Sequence, residues 1–124
     1  MSFNWSEYLT LAQVLTGKAA VSSPEAKFRS AISRAYYGAF CSTRNYLIQN
    51  GHRIPKTSEA HKMVREILRN KKDQVSKQVE NNLDRLRKDR TNADYEDHFP
   101  WALDKTTAKD LYLAQKVLND LAKC

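Results

Sequence analysis

The chain has 124 residues, 28% of them charged, with 21 Lys and Arg against 14 Asp and Glu and a net charge of +7. That length suits one domain, taken as residues 1–124, around one core. The apolar runs fall far short of the roughly 18 residues that a membrane span needs, and the N-terminus lacks the basic start and apolar centre of a signal peptide, so the expected location is the cytoplasm without a membrane partner.

A hydrophobic share of 41%, with only three Gly and three Pro, argues for an all-α chain, and no strand pattern competes. The first helix is expected from about Asn4 to Thr16, with Trp5, Tyr8, Leu9, Ala12 and Leu15 as its apolar stripe and Gly17 ending it. The connection through Val21 leads to Ser23-Pro24-Glu25. There a serine can cap, proline suits the first helical position and glutamate favours the positive end of the helix dipole.

The second helix is the organising stretch. Ala31, Ile32, Ala35, Tyr36, Ala39, Phe40, Thr43 and Leu47 recur at spacings of three and four and must share one buried face. Ser30, Ser33, Tyr37, Cys41, Arg44 and Ile48 form a second, mixed line that suits a wet groove or a second subunit. Small residues at Ala31, Ala35, Gly38 and Ala39 allow a neighbouring helix to come close. Gly51 closes this helix near Gln49 or Asn50.

A basic loop from His52 to Thr57 follows, and Thr57 or Ser58 is expected to cap a third helix carrying Ala60, Met63, Val64, Ile67 and Leu68. His61 reads as a surface or capping group. The fourth helix is expected to start near Ser76, to turn Val79, Leu83 and Leu86 inward and to end near His98, because Pro100 forbids continuation. The same stripe, extended by one turn, reaches Arg90. An arginine on an apolar face must be paired or lie at a groove, and Asp94, four residues on, is its natural partner. The last helix is expected from Asp104–Thr106 to Ala122 with Leu111, Ala114, Leu118 and Leu121 facing inward. The sum is an antiparallel bundle of four to five helices.

Between His52 and Lys72 lie seven Lys and Arg against two acids, and Arg85, Arg87, Lys88 and Arg90 form a second basic cluster. Such fields either steer a polyanion such as RNA or are a solvated helix face. Cys41 and Cys124 have no metal-type spacing and read as free thiols. No Glu-x-x-His pair or phosphate loop is present, so neither a metal nor a cofactor is expected.

Three stretches carry a resemblance: Ser33-Arg34-Ala35-Tyr36-Tyr37-Gly38-Ala39-Phe40, the Gly51-to-His61 connection, and Arg87-Lys88-Asp89-Arg90-Thr91-Asn92-Ala93-Asp94-Tyr95. With these the sequence resembles the HEPN-domain family, from about Asn4 to Ala122. The resemblance implies a four- to five-helix bundle, dimerisation, and roles as ribonuclease toxins or RNA-processing modules beside minimal nucleotidyltransferases. Active members carry an arginine, then four to six residues, then a histidine. Here seven residues separate Arg90 from His98, so the usual motif is not intact.

Metal-independent RNA cleavage needs an activated 2′-hydroxyl, a stabilised phosphorane and a protonated leaving oxygen. The candidates are Arg90 for charge, with Asp94, Tyr95 and His98 assisting. Arg34, Tyr37 and Arg87 are candidates for a groove or dimer face. The competing reading makes Arg90 and Asp94 an ion pair that ties the fourth helix to the second. On that reading the chain is a binding module for RNA, a nucleotide or a nucleotidyltransferase.

Overall fold

The structure, a computed structural model, describes residues 3–17 and 24–123; the expected connection at Val21, the Ser23 cap and Cys124 lie outside the described residues. It has five helices: α1 (Glu7–Gly17), α2 (Pro24–Gln49), α3 (Glu59–Lys71), α4 (Gln74–Tyr95) and α5 (Leu103–Lys123). No strand occurs among the described residues, and no helix among them is long and apolar enough to cross a membrane.

Helix α2 is the axis. Its 26 residues span about 39 Å at the usual helical rise, and α1, α3, α4 and α5 all pack on it. The expected stripe is the core: Ala31, Ile32, Ala35, Tyr36, Ala39, Phe40, Thr43 and Leu47 are all buried. Each large apolar side chain of this set contributes about 1.5–3 kcal/mol by leaving water. The Thr43 hydroxyl is satisfied within the helix, donating to the Ala39 carbonyl at 2.8 Å. Gly38 lets the α1 backbone approach, since a methyl group there would sit 3.1 Å from the Leu9 nitrogen and 3.3 Å from the Trp5 carbonyl oxygen.

Several helix boundaries differ from expectation, each for a local reason. Helix α1 begins at Glu7 rather than Asn4, because the Asn4 side chain accepts from the Ser6 backbone at 3.1 Å and from its hydroxyl at 2.7 Å, which makes Asn4 part of a turn before the helix. Ser58 makes no side-chain cap; the Thr57 hydroxyl instead accepts from the Glu59 N–H at 3.3 Å. Helix α4 begins at Gln74, where Asp73 caps it by accepting from the Ser76 N–H at 2.7 Å. Lys72, with φ of 61°, makes the tight reversal from α3. Helix α4 stops at Tyr95, one turn short of His98.

Helix α5 buries a line rotated from the expected one. Leu113, Ala114 and Val117 are in the core, together with Thr106, Thr107, Asp110 and Asp120, while Leu111, Leu118 and Leu121 are half-buried. Asp110 is fully enclosed against Asp89 of α4, which Lys109 pairs at 3.3 Å. With both carboxylates ionised, neither Asp110 oxygen meets a donor among the described residues. Protonation lets Asp110 donate to Asp89, and burial together with the bond and charge of Asp89 pushes the Asp110 carboxyl up to about 9.

Because that carboxyl lies above its ordinary 3.8, its contribution to stability is complete below that value and is lost as pH rises toward 9. Asp110→Asn, which donates without titrating, is expected to raise stability by about 1–3 kcal/mol near pH 8 and to flatten its pH dependence there. Urea unfolding across pH 4 to pH 9 checks this; unchanged slopes in the variant would contradict it.

Candidate functional site

Arg90 projects from α4 toward α2, and its side chain is only 13% exposed. A guanidinium so placed needs compensation, and the surroundings supply it. Its centre lies 5.5 Å from the Tyr36 ring, 5.3 Å from Tyr37 and 5.9 Å from Tyr95, and three aromatic faces turned on one cation are each attractive. Asp94 closes the set at 3.4 Å from Nη1, and the Ser33 hydroxyl donates to the same carboxylate oxygen at 3.3 Å, tying α4 to α2. Among the described residues Arg90 Nε has no hydrogen-bond partner.

The Ser-Arg-Ala-Tyr-Tyr run thereby acquires a physical meaning. Tyr36 is 2% exposed, and its hydroxyl is hydrogen-bonded to His61 Nδ1. Burial drives its ionisation far above the ordinary tyrosine range, so it stays protonated. Tyr37, half-buried, turns its ring to the cation.

His61 is the residue that reasoning along the chain placed wrongly. It is half-buried rather than a surface cap, stacked on Phe40 at 4.2 Å between ring centres with planes 14° apart. Its pKa is lowered first by burial, then by the positive charges of Arg90, Arg87 and Arg65, which favours the neutral ring. A signal existed in the sequence: His61 stands three and seven residues before Val64 and Leu68, both buried.

The remaining candidates divide. Arg87 approaches the site from α4 and is held by Asp84 at 3.1 Å, a carboxylate that also takes Lys88 at 3.1 Å and Arg65 at 3.8 Å. Asp94 and Tyr95 lie at Arg90. Arg34 does not: it sits over the Tyr8 ring at 4.9 Å and fastens α2 to α1. His98 is exposed in the link after α4, and no hydrogen bond or ion pair joins it to Arg90 among the described residues.

The early end of α4 has a cause that the sequence reading missed. Arg29 of α2 reaches across, and its Nη1 donates to the carbonyls of Ala93 at 2.9 Å and Glu96 at 2.7 Å while Nη2 donates to Asp97 at 3.1 Å. The charge thus sits at the negative end of the α4 dipole and satisfies carbonyls left over by helix termination. Glu25, one turn away, fixes it at 3.0 Å. This bracket sets where Asp94 and Tyr95 stand.

A helical bundle whose second and fourth helices meet at a tyrosine pair, an arginine and its aspartate is the class that fold and site define. The HEPN domain family model matches residues 7–123, nearly the whole chain, and the chain belongs to the HEPN domain family. No curated protein and no solved structure matches it.

Arg29→Met keeps the apolar stem and removes the donors. It is expected to lower stability by about 2 kcal/mol and to speed amide exchange in the last turn of α4, read by urea unfolding and hydrogen exchange. Unaltered exchange at Ala93 to Glu96 would contradict the capping role.

Proposed function

We propose that the chain is a homodimeric, metal-independent endoribonuclease of a prokaryotic toxin–antitoxin or defence module, one HEPN-like domain acting in the cytoplasm. The observation that carries this reading is that Arg90 and His61 flank one tyrosine, Tyr36, the guanidinium 5.5 Å from its ring and the imidazole bonded to its hydroxyl. Arg90, supported by Arg87, stabilises the charge of the phosphorane. His61 takes the proton of the 2′-hydroxyl, for which a neutral imidazole is the competent form. Tyr95, 73% exposed and beside Arg90, contacts the strand. Asp94 holds Arg90 in place, and His98, exposed after α4, protonates the leaving oxygen from the second copy. Leu11 and Val14, exposed one turn apart on α1, offer apolar surface to that copy.

A second reading rests on the closeness of the Arg90–Asp94 pair: an arginine already paired, stacked and fastened to α2 through Ser33 serves the fold as well as chemistry. On that reading the chain is a non-catalytic module that binds RNA or a nucleotide, or partners a nucleotidyltransferase antitoxin.

Cleavage of transfer and messenger RNA with a chelator present separates the two. Arg90→Ala and His61→Ala are each expected to slow cleavage by about 100-fold or more. The wild-type rate is expected to fall as acid protonates His61, below the ordinary 6.5 because its pKa is lowered. No cleavage by a folded wild-type dimer would favour the second reading, and equal cleavage by Arg90→Ala would remove Arg90 from the chemistry.

A further inference from the structure

On another flank of α4, away from Arg90, the chain has a second cationic feature. Arg85, Lys88, Asp89 and Asn92 recur at spacings of three and four and so share a helix face. With Arg87, Thr91, Trp101 and Lys109 they line a cleft of about 500 Å³ between α4, the link before α5 and the first turns of α5. This lies within the roughly 300–1,000 Å³ of small-molecule sites.

The composition of the cleft is specific. Trp101 is 62% exposed, and among the described residues its ring meets neither another ring nor a cation. The other tryptophan, Trp5, is by contrast enclosed by Phe3, Tyr8 and Arg44. Four cations face one carboxylate. Asp89 is neutralised by Lys109, while Arg87 and Lys88 share Asp84 outside the cleft. Arg85 has no ion pair among the described residues, and its charge is open to a ligand. Asn92 and Thr91 add uncharged polar groups.

We infer that this cleft is a nucleoside-phosphate subsite in which Trp101 stacks a base and Arg85 holds the phosphate. A bare aromatic face beside uncommitted positive charge is what single-stranded nucleic acid recognises: stacking contributes about 1–3 kcal/mol per base, and the charge follows the backbone. A carboxylate sugar acid or a simple anion would use the cations and leave the indole bare. The inference builds on the RNA reading only for the polymer that presents the nucleotide; binding here involves neither Arg90 nor His61.

The test uses the full chain and a labelled single-stranded oligodeoxyribonucleotide of about ten nucleotides, enough to fill a site of ordinary single-strand size. Lacking the 2′-hydroxyl, it cannot be cleaved by internal attack, so failed binding and failed cleavage are distinguished. Trp101→Ala and Arg85→Ala, both at exposed positions, are each expected to weaken binding by about 5- to 100-fold. In the Trp5→Phe protein the Trp101 emission is expected to be quenched on titration. A parallel arm with a nucleoside monophosphate identifies the source: loss of affinity for both ligands in the variants supports a free-nucleotide site, and loss for the strand alone supports an RNA-strand site. Equal binding by wild type and Trp101→Ala, or Trp101 emission that changes only with protein concentration, would overturn the proposal.

Discussion

The structure depends on how one buried guanidinium is compensated. Arg90 lies on the inward line of α4 that otherwise carries Val79, Leu83 and Leu86. Alone there it would cost several kcal/mol. Tyr36, Tyr37 and Tyr95 surround it, Asp94 pairs it, and Ser33 holds Asp94. The contact between α2 and α4 is therefore polar at its outer end and apolar further in.

The same economy of side chains recurs around it. Arg29 ends α4 and fixes the position of Asp94 and Tyr95, so the length of one helix is set by a residue of another. Asp84 gathers Arg65, Arg87 and Lys88, which keeps three like charges together near the site. Burial first, and then the charges of Arg90, Arg87 and Arg65, lower the pKa of His61. Burial and charge act in the same direction there, whereas at Asp84 burial opposes the hydrogen bonds from Lys88 and Arg87, and the bonds prevail.

What the sequence made legible follows from periodicity. The apolar stripe of α2, the close approach at Gly38 and the Arg90–Asp94 pair all involve neighbours on one helix or the smallest residues of a face, and those are read by counting. The Arg29 cap, the Tyr36–His61 bond and the Asp89–Asp110 contact join residues that helix order brings together only after packing, and no spacing rule reaches them. Asp110 stands outside the expected inward line of α5, Leu111, Ala114, Leu118 and Leu121, and its partner on α4 lets it be buried. His98, by contrast, drew weight from its position after Arg90, yet α4 ends before it and Arg29 holds the link.

The central claim is that Arg90 and His61 belong to one electrostatic site. The direct measurement is the titration of the His61 ring by nuclear magnetic resonance in the wild-type chain and in Arg90→Met, which keeps the length of the side chain. The account predicts that His61 titrates below its ordinary 6.5 in the wild type and moves upward when the Arg90 charge is removed, with burial keeping part of the shift. A ring that titrates at or above 6.5, or that takes no notice of Arg90→Met in a folded protein, would contradict it.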